Sequence, residues 1–179
     1  MKEASLLVLA VVLAACSPQA TGSTRSSIST APATATQAAS SQPSITSTGC
    51  GSTAVLAGGI PQWLNDAGGH NNPLGVPYVI AQPPLAAGFL FGYPLHAGHP
   101  NNPSNKILWV VRTARNGPLT IDAHPLTATS PVVHQVFPDN AGPGEIYPSG
   151  VDVPTAGCWQ LDLRWAGSHT EVELSYVSP

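Results

Sequence analysis

The chain has 179 residues, only 8% of them charged, and its 6 Lys and Arg against 9 Asp and Glu give a formal net charge of −3. Binding a polyanion needs a concentrated basic surface, so this balance excludes nucleic acid as a partner. The 17 Gly and 19 Pro exclude a long helical bundle and indicate short strands joined by turns.

Residues 6–13 are an uninterrupted apolar run behind a weakly basic start at Lys2. The run has the length of a signal-peptide core and is too short to span a bilayer. The segment Leu13-Ala14-Ala15-Cys16 resembles the lipobox of bacterial lipoproteins. That resemblance implies that residues 1–15 are a signal peptide cut just before Cys16, and that the Cys16 thiol carries the lipid. It further implies attachment to the bacterial cell envelope, on the extracytoplasmic face of a membrane, with the lipid as the membrane contact. The alternative is an ordinary signal peptide cut after Ala15, which leaves Cys16 a free or paired thiol. Residues 17–48 then contain 16 Ser and Thr and one charge, Arg25. Such a segment has too little to bury to offset its conformational entropy, so 16–48 is expected to be a disordered, lipid-tethered stalk with a reach of roughly 30 Å.

Residues 49–179 are enough for one domain with a real core. Cys50 opens it and Cys158 lies near its end. An oxidising compartment follows from the signal peptide, and with Cys16 lipidated the economical pairing is a Cys50–Cys158 disulfide. Metal ligation by the pair is the weaker alternative, because no second cysteine sits near either one.

In chain order, 61–67 reads as a helical turn and 78–82 as a strand. In the strand expected over 87–93, Phe89, Phe91 and Tyr93 share one side while Gly88 and Gly92 leave the other bare. The nearly continuous apolar run 107–113 reads as a strand covered on both faces. Further strands are expected over 118–123, 131–137 and, as a short piece, 151–153, each bracketed by Pro, Gly or Asn. From Cys158, Trp159, Leu161, Leu163 and Trp165 alternate with Gln160, Asp162 and Arg164. Val172, Leu174 and Tyr176 alternate with Glu171, Glu173 and Ser175 after a turn at 166–169. This is a hairpin with one apolar face, and Arg164 is expected to pair with Glu171 on the wet one. Trp109, Trp159 and Trp165 are the expected core, with Leu119, Ile121, Leu161 and Leu174 around them.

Seven to nine short strands predict an all-β antiparallel sandwich. The stretch 147–159, with its Pro154-Thr155-Ala156-Gly157-Cys158-Trp159, preceded by Ile107-Leu108-Trp109 and Pro118-Leu119-Thr120-Ile121, looks like a group of small bacterial secreted proteins and lipoproteins. They are similar to immunoglobulin-like sandwiches, so the resemblance implies that fold, with Gly157 opening the strand that follows the inter-sheet corner. It covers roughly the last 75 residues and implies no activity.

Two loops share a wording, Gly69-His70-Asn71-Asn72-Pro73 and Gly98-His99-Pro100-Asn101-Asn102-Pro103. Asn, Gly and Pro are turn formers, and two similar turns account for them. Placed at one end of a sandwich, the loops make His70, Asn71, Asn72, His99, Asn101 and Asn102 candidate binding residues. His96 and His99 form an H-x-x-H, and with His70 they make a candidate zinc or copper set, although spacing within a loop fixes no geometry. No G-x-S-x-G elbow follows a strand, and the acidic residues stand singly. Asp122, His124 and His134 with a serine compose a triad only on paper. The reading is a non-catalytic, lipid-anchored immunoglobulin-like domain without a cofactor that binds an envelope or extracellular protein or polymer. Its competitors are a metal-binding lipoprotein using the loop histidines and a protease-inhibitor-like surface domain.

Overall fold

The alternation at the C-terminal end folds as a hairpin, and its apolar face closes a sandwich. In the computed structural model, which describes residues 42–98 and 105–178, β10 (Gly157–Trp165) and β11 (Ser168–Val177) pair from Gly157↔Tyr176 to Trp165↔Ser168. The connection is two residues, Ala166 and Gly167, both with positive φ, 44° and 79°. It is thus shorter than the 166–169 turn read from sequence, and its backbone twist suits a tight hairpin. Cys16, read from sequence as the lipidated residue, the segments read as signal peptide and stalk up to residue 41, and His99, Asn101 and Asn102 lie outside the described residues.

One sheet (sheet A) has the order β1-β2-β3-β4-β6-β9, made of Pro43–Cys50, Thr53–Gly58, Tyr78–Ile80, Ala86–Leu90, Lys106–Val111 and Ile146–Gly150. The other (sheet B) has the order β5-β11-β10-β7-β8, with β5 at Leu95–His96, β7 at Leu119–Pro125 and β8 at Val133–Phe137. The all-β sandwich is therefore present. Its pairings are antiparallel except that of β5 with β11, which is parallel. Gly157 opens β10 directly after the chain has crossed from β9 in sheet A to sheet B.

Trp109, Trp159 and Trp165 lie between the sheets with Leu119, Ile121, Leu161, Leu163, Val172 and Leu174, all at most 2% exposed. Each fully buried aliphatic side chain here contributes about 1.5–3 kcal/mol. The glycine at 88 does not leave its side bare: a Cβ there would sit 2.6 Å from the Trp109 ring, so the missing side chain is what lets the indole lie against β4.

Several strand assignments differ from the sequence reading, which also lacked Thr53–Gly58 and Leu95–His96. Val151 and Val153 are buried but belong to the crossing segment, not to a strand, because the alternation reports burial and not ladder pairing. The strand is instead Ile146–Gly150, which contains Pro148 and is tolerated because it lies at a sheet edge. The strand β1 runs through Pro43–Cys50, so the ladder reaches back into the segment assigned to the stalk. Its Ser44, Ile45 and Thr46 are exposed, and backbone pairing with β2 replaces the burial that the composition cannot supply.

Cys50 and Cys158 are joined in a disulfide, with Cα atoms 5.5 Å apart. Cys158 sits on the outer face of sheet B, in line with Gln160 and Asp162, so the bridge clamps the tip of the β1–β2 hairpin over that sheet. The same contact is reinforced by Ser52, whose backbone N–H and hydroxyl both donate to Glu173, and by Thr53, whose hydroxyl accepts from the Glu173 N–H.

Candidate functional site

The outer face of sheet A is covered by the segment between β2 and β3. Gln62–Leu64 form one α-turn that widens into a π-turn over Asn65–Gly69. Leu64 is fully buried against Tyr78, Ala87, Phe89 and Val110, so the run expected to be covered on both faces, β6, is so covered. Burial raises the pKa of the Tyr78 phenol, and its hydroxyl donates to Gly59 O at 2.8 Å.

His70, Asn71 and Asn72 follow as three consecutive residues with φ of 48°, 57° and 47°. Their left-handed backbone is held by side chains: Asn65 Oδ1 accepts from the Asn71 N–H at 2.9 Å. Asn72 donates to Val76 O at 2.9 Å and accepts from the Val76 N–H at 3.0 Å. Asn72 is buried, so it staples the loop and is not itself offered to a ligand. His70 is exposed.

Two hollows flank His70. One, of about 230 Å³, is lined by Gly69, His70, Leu74, Val76, Phe91 and Leu108 among others. The other, of about 400 Å³, lies among Ala67, His70, Leu108, Pro143 and Ile146. They share Gly68, His70 and Leu108 and so form one trough across β6. Leu74 is 84% exposed and Phe91 48% exposed at its mouth, with the Lys106 ammonium 5.2 Å from the Phe91 ring centroid. The aromatic row read over 87–93 is thus divided. Phe89 is core, the strand ends at Leu90, and Phe91 and Tyr93 reach the surface.

The outer face of sheet B is polar. Arg164 lies opposite His169 and not Glu171, so the expected Arg164–Glu171 pair does not form. Its guanidinium reaches Asp122 on β7 at 2.9 Å, and His134 on β8 contacts the other Asp122 oxygen at 2.6 Å. The two-residue turn sets this register, which spacing alone did not reveal. Asp122 and His134 of the paper triad do meet, whereas His124 turns its Nδ1 to the Pro125 and Ala128 carbonyls.

His96 lies on β5, with Nδ1 3.3 Å from Ser178 O. Among the described residues, the one group of three possible metal donors is Asp162, His169 and Glu171, which includes neither His70 nor His96. Sequence reasoning missed it. The signal was the i, i+2 pair His169 and Glu171 on the polar face of one strand, opposite Asp162 on the next.

The chain was compared with protein-family models, curated proteins and solved structures. It matches none of them.

Proposed function

We propose that this is a lipid-anchored, extracytoplasmic binding domain that uses the trough beside His70 to hold a polypeptide segment. The lipid anchor rests on Leu13-Ala14-Ala15-Cys16. Binding rests on one observation: a preorganised loop presents Leu74 to solvent beside Phe91, which follows β4, over an apolar hollow of about 230 Å³. A hollow of this size takes one large apolar side chain, and exposed apolar residues grouped over a cleft mark an interaction site. Lys106 at the mouth selects a segment that carries an acidic residue next to the anchor. Because the Asn65 and Asn72 hydrogen bonds fix the loop beforehand, little ordering entropy opposes binding.

Panning a displayed random-peptide library on the purified full chain tests the reading. Enriched peptides carry an aromatic or branched aliphatic residue beside Asp or Glu, and Leu74→Glu and Lys106→Glu each abolish the enrichment. Peptides that bind the Leu74→Glu variant equally well refute the trough as the site. Mass spectrometry of the mature N-terminus tests the anchor separately: a diacylglyceryl mass on Cys16 supports it, and an unmodified thiol overturns it.

A further inference from the structure

We infer that the outer face of sheet B is a binding site for a divalent transition-metal ion of the zinc class, ligated by Asp162, His169, Glu171 and His124. Strand alternation brings these side chains to one face: Asp162 from β10, His169 and Glu171 from β11, and His124 from β7. The register sets Asp162 directly opposite Glu171 on one side and directly opposite Asp122 on the other. Carboxylates directly opposite each other across strands repel and destabilise a sheet. Asp122 is compensated by Arg164. Among the described residues, neither Asp162 nor Glu171 has a Lys or Arg within ion-pair distance; the titratable nitrogens within that range of their carboxylates belong to the imidazoles of His124 and His169.

The geometry is that of an open coordination sphere. His169 Nε2 lies 3.3 Å from Asp162 Oδ1 and 3.9 Å from Glu171 Oε1, and the three donor atoms fall within 4.8 Å of one another. Donors bonded tetrahedrally to zinc at 2.0–2.2 Å stand about 3.4 Å apart, so the His169–Asp162 spacing already fits, Glu171 closes in by side-chain rotation, and His124, which stands outside the group of three, moves furthest to join them. His124 supplies an independent indication. Its Nδ1 lies 3.0 Å from Pro125 O and 2.9 Å from Ala128 O, and since carbonyls only accept, Nδ1 carries the proton. Nε2 is then the lone-pair nitrogen, 3.9 Å from Asp162 Oδ2. A histidine whose remote ring nitrogen is fixed by a backbone carbonyl is the usual arrangement of a metal ligand, because that bond selects the tautomer and aims the ring.

Two imidazoles with two carboxylates prefer zinc and its transition-metal neighbours over calcium or magnesium, which take oxygen alone. His169 and Glu171 are about half exposed and Asp162 is mostly covered, so the site is open to solvent on one side and has room for water or a further ligand. It lies on the opposite sheet from the trough and does not depend on it.

The test is calorimetric titration of the chelator-treated full chain with zinc chloride, calcium chloride serving as the control. The expected result is one equivalent of zinc bound at micromolar concentration, no saturable heat with calcium, and visible d–d absorption of a low-coordinate site on cobalt substitution. Asp162→Asn, His169→Ala and Glu171→Gln each weaken zinc by at least about tenfold, and His124→Ala also weakens it. Circular dichroism melts confirm that these surface variants fold, and a His70→Ala/His96→Ala double variant binds as the wild type. No saturable zinc binding, equal binding of calcium, or zinc binding that survives His169→Ala and is lost in the double variant each overturns the assignment.

Discussion

Replacing both Cys50 and Cys158 by alanine removes a cross-link that closes 108 residues. In the loop-entropy description the cost to the unfolded chain is about −2.1 − 1.5R ln 108, or roughly −16 cal/mol/K, which is about 4.8 kcal/mol at room temperature. Alanine suits Cys50, which is 2% exposed, better than serine, whose hydroxyl would need a partner there. With a urea m-value of about 2 kcal/mol/M for a domain of this size, the denaturation midpoint falls by about 2.4 M. The assay is urea unfolding of wild type and double variant, followed by tryptophan fluorescence, which reports on Trp109, Trp159 and Trp165 inside the sandwich. A midpoint shift below about 0.5 M at unchanged slope would refute the argument that long-loop closure dominates this bond. Hydrogen exchange adds a spatial check: in the double variant, protection is lost first in β1 and β2, which the bridge clamps to sheet B.

Gly88→Ala places a Cβ 2.6 Å from the Trp109 ring between two paired strands, so overpacking lowers stability by about 1–3 kcal/mol in a thermal melt. Asn72→Ala deletes both hydrogen bonds to Val76 at a residue with φ 47°; urea unfolding should show a loss of about 2–4 kcal/mol, while His70→Ala, two residues earlier at a similar φ but without those bonds, costs less. Burial raises the pKa of Tyr78, Tyr147 and Tyr176 above the usual phenol value, with Arg115 partly opposing the rise at Tyr147. Below about pH 10 both states are protonated and stability is unaffected; above it the unfolded chain releases protons that the folded one keeps, so stability falls by up to about 1.4 kcal/mol per pH unit for each buried phenol. Urea midpoints measured from pH 9 to 11 should decline, and a flat profile would show that these hydroxyls ionise in the folded protein.

The hairpin from Gly157 to Val177 was legible because one apolar face repeats at period two on both arms, and two of the three inter-sheet tryptophans, Trp159 and Trp165, follow from that phase. What spacing did not disclose is register. The Ala166-Gly167 turn moves Arg164 onto Asp122, a residue 42 positions away, and leaves Glu171 facing Asp162. The polar face became a site only when three strands were aligned, and no window on a single strand contains it. Ile146–Gly150 was hidden by Pro148, which reads as a breaker until the strand is known to lie at an edge. Pro43–Cys50 was hidden because its pairing rests chiefly on backbone groups, which are the same in every composition, with Thr46 adding a side-chain bond to Val55 O. In the loop after the π-turn, the sequence marked His70, Asn71 and Asn72 together. Only the hydrogen bonds divide the stapling Asn72 from the presented His70.

The cross-link also gives this hairpin a mechanical end-stop. A drag on the N-terminal side of Pro43 peels β1 away from β2 one pair at a time, beginning at Pro43↔Gly58. The peeling halts at Cys50, after a slack of roughly 25 Å has been paid out. From there the load passes through sulfur into β10, the central strand of sheet B, and is shared between its neighbours β11 and β7.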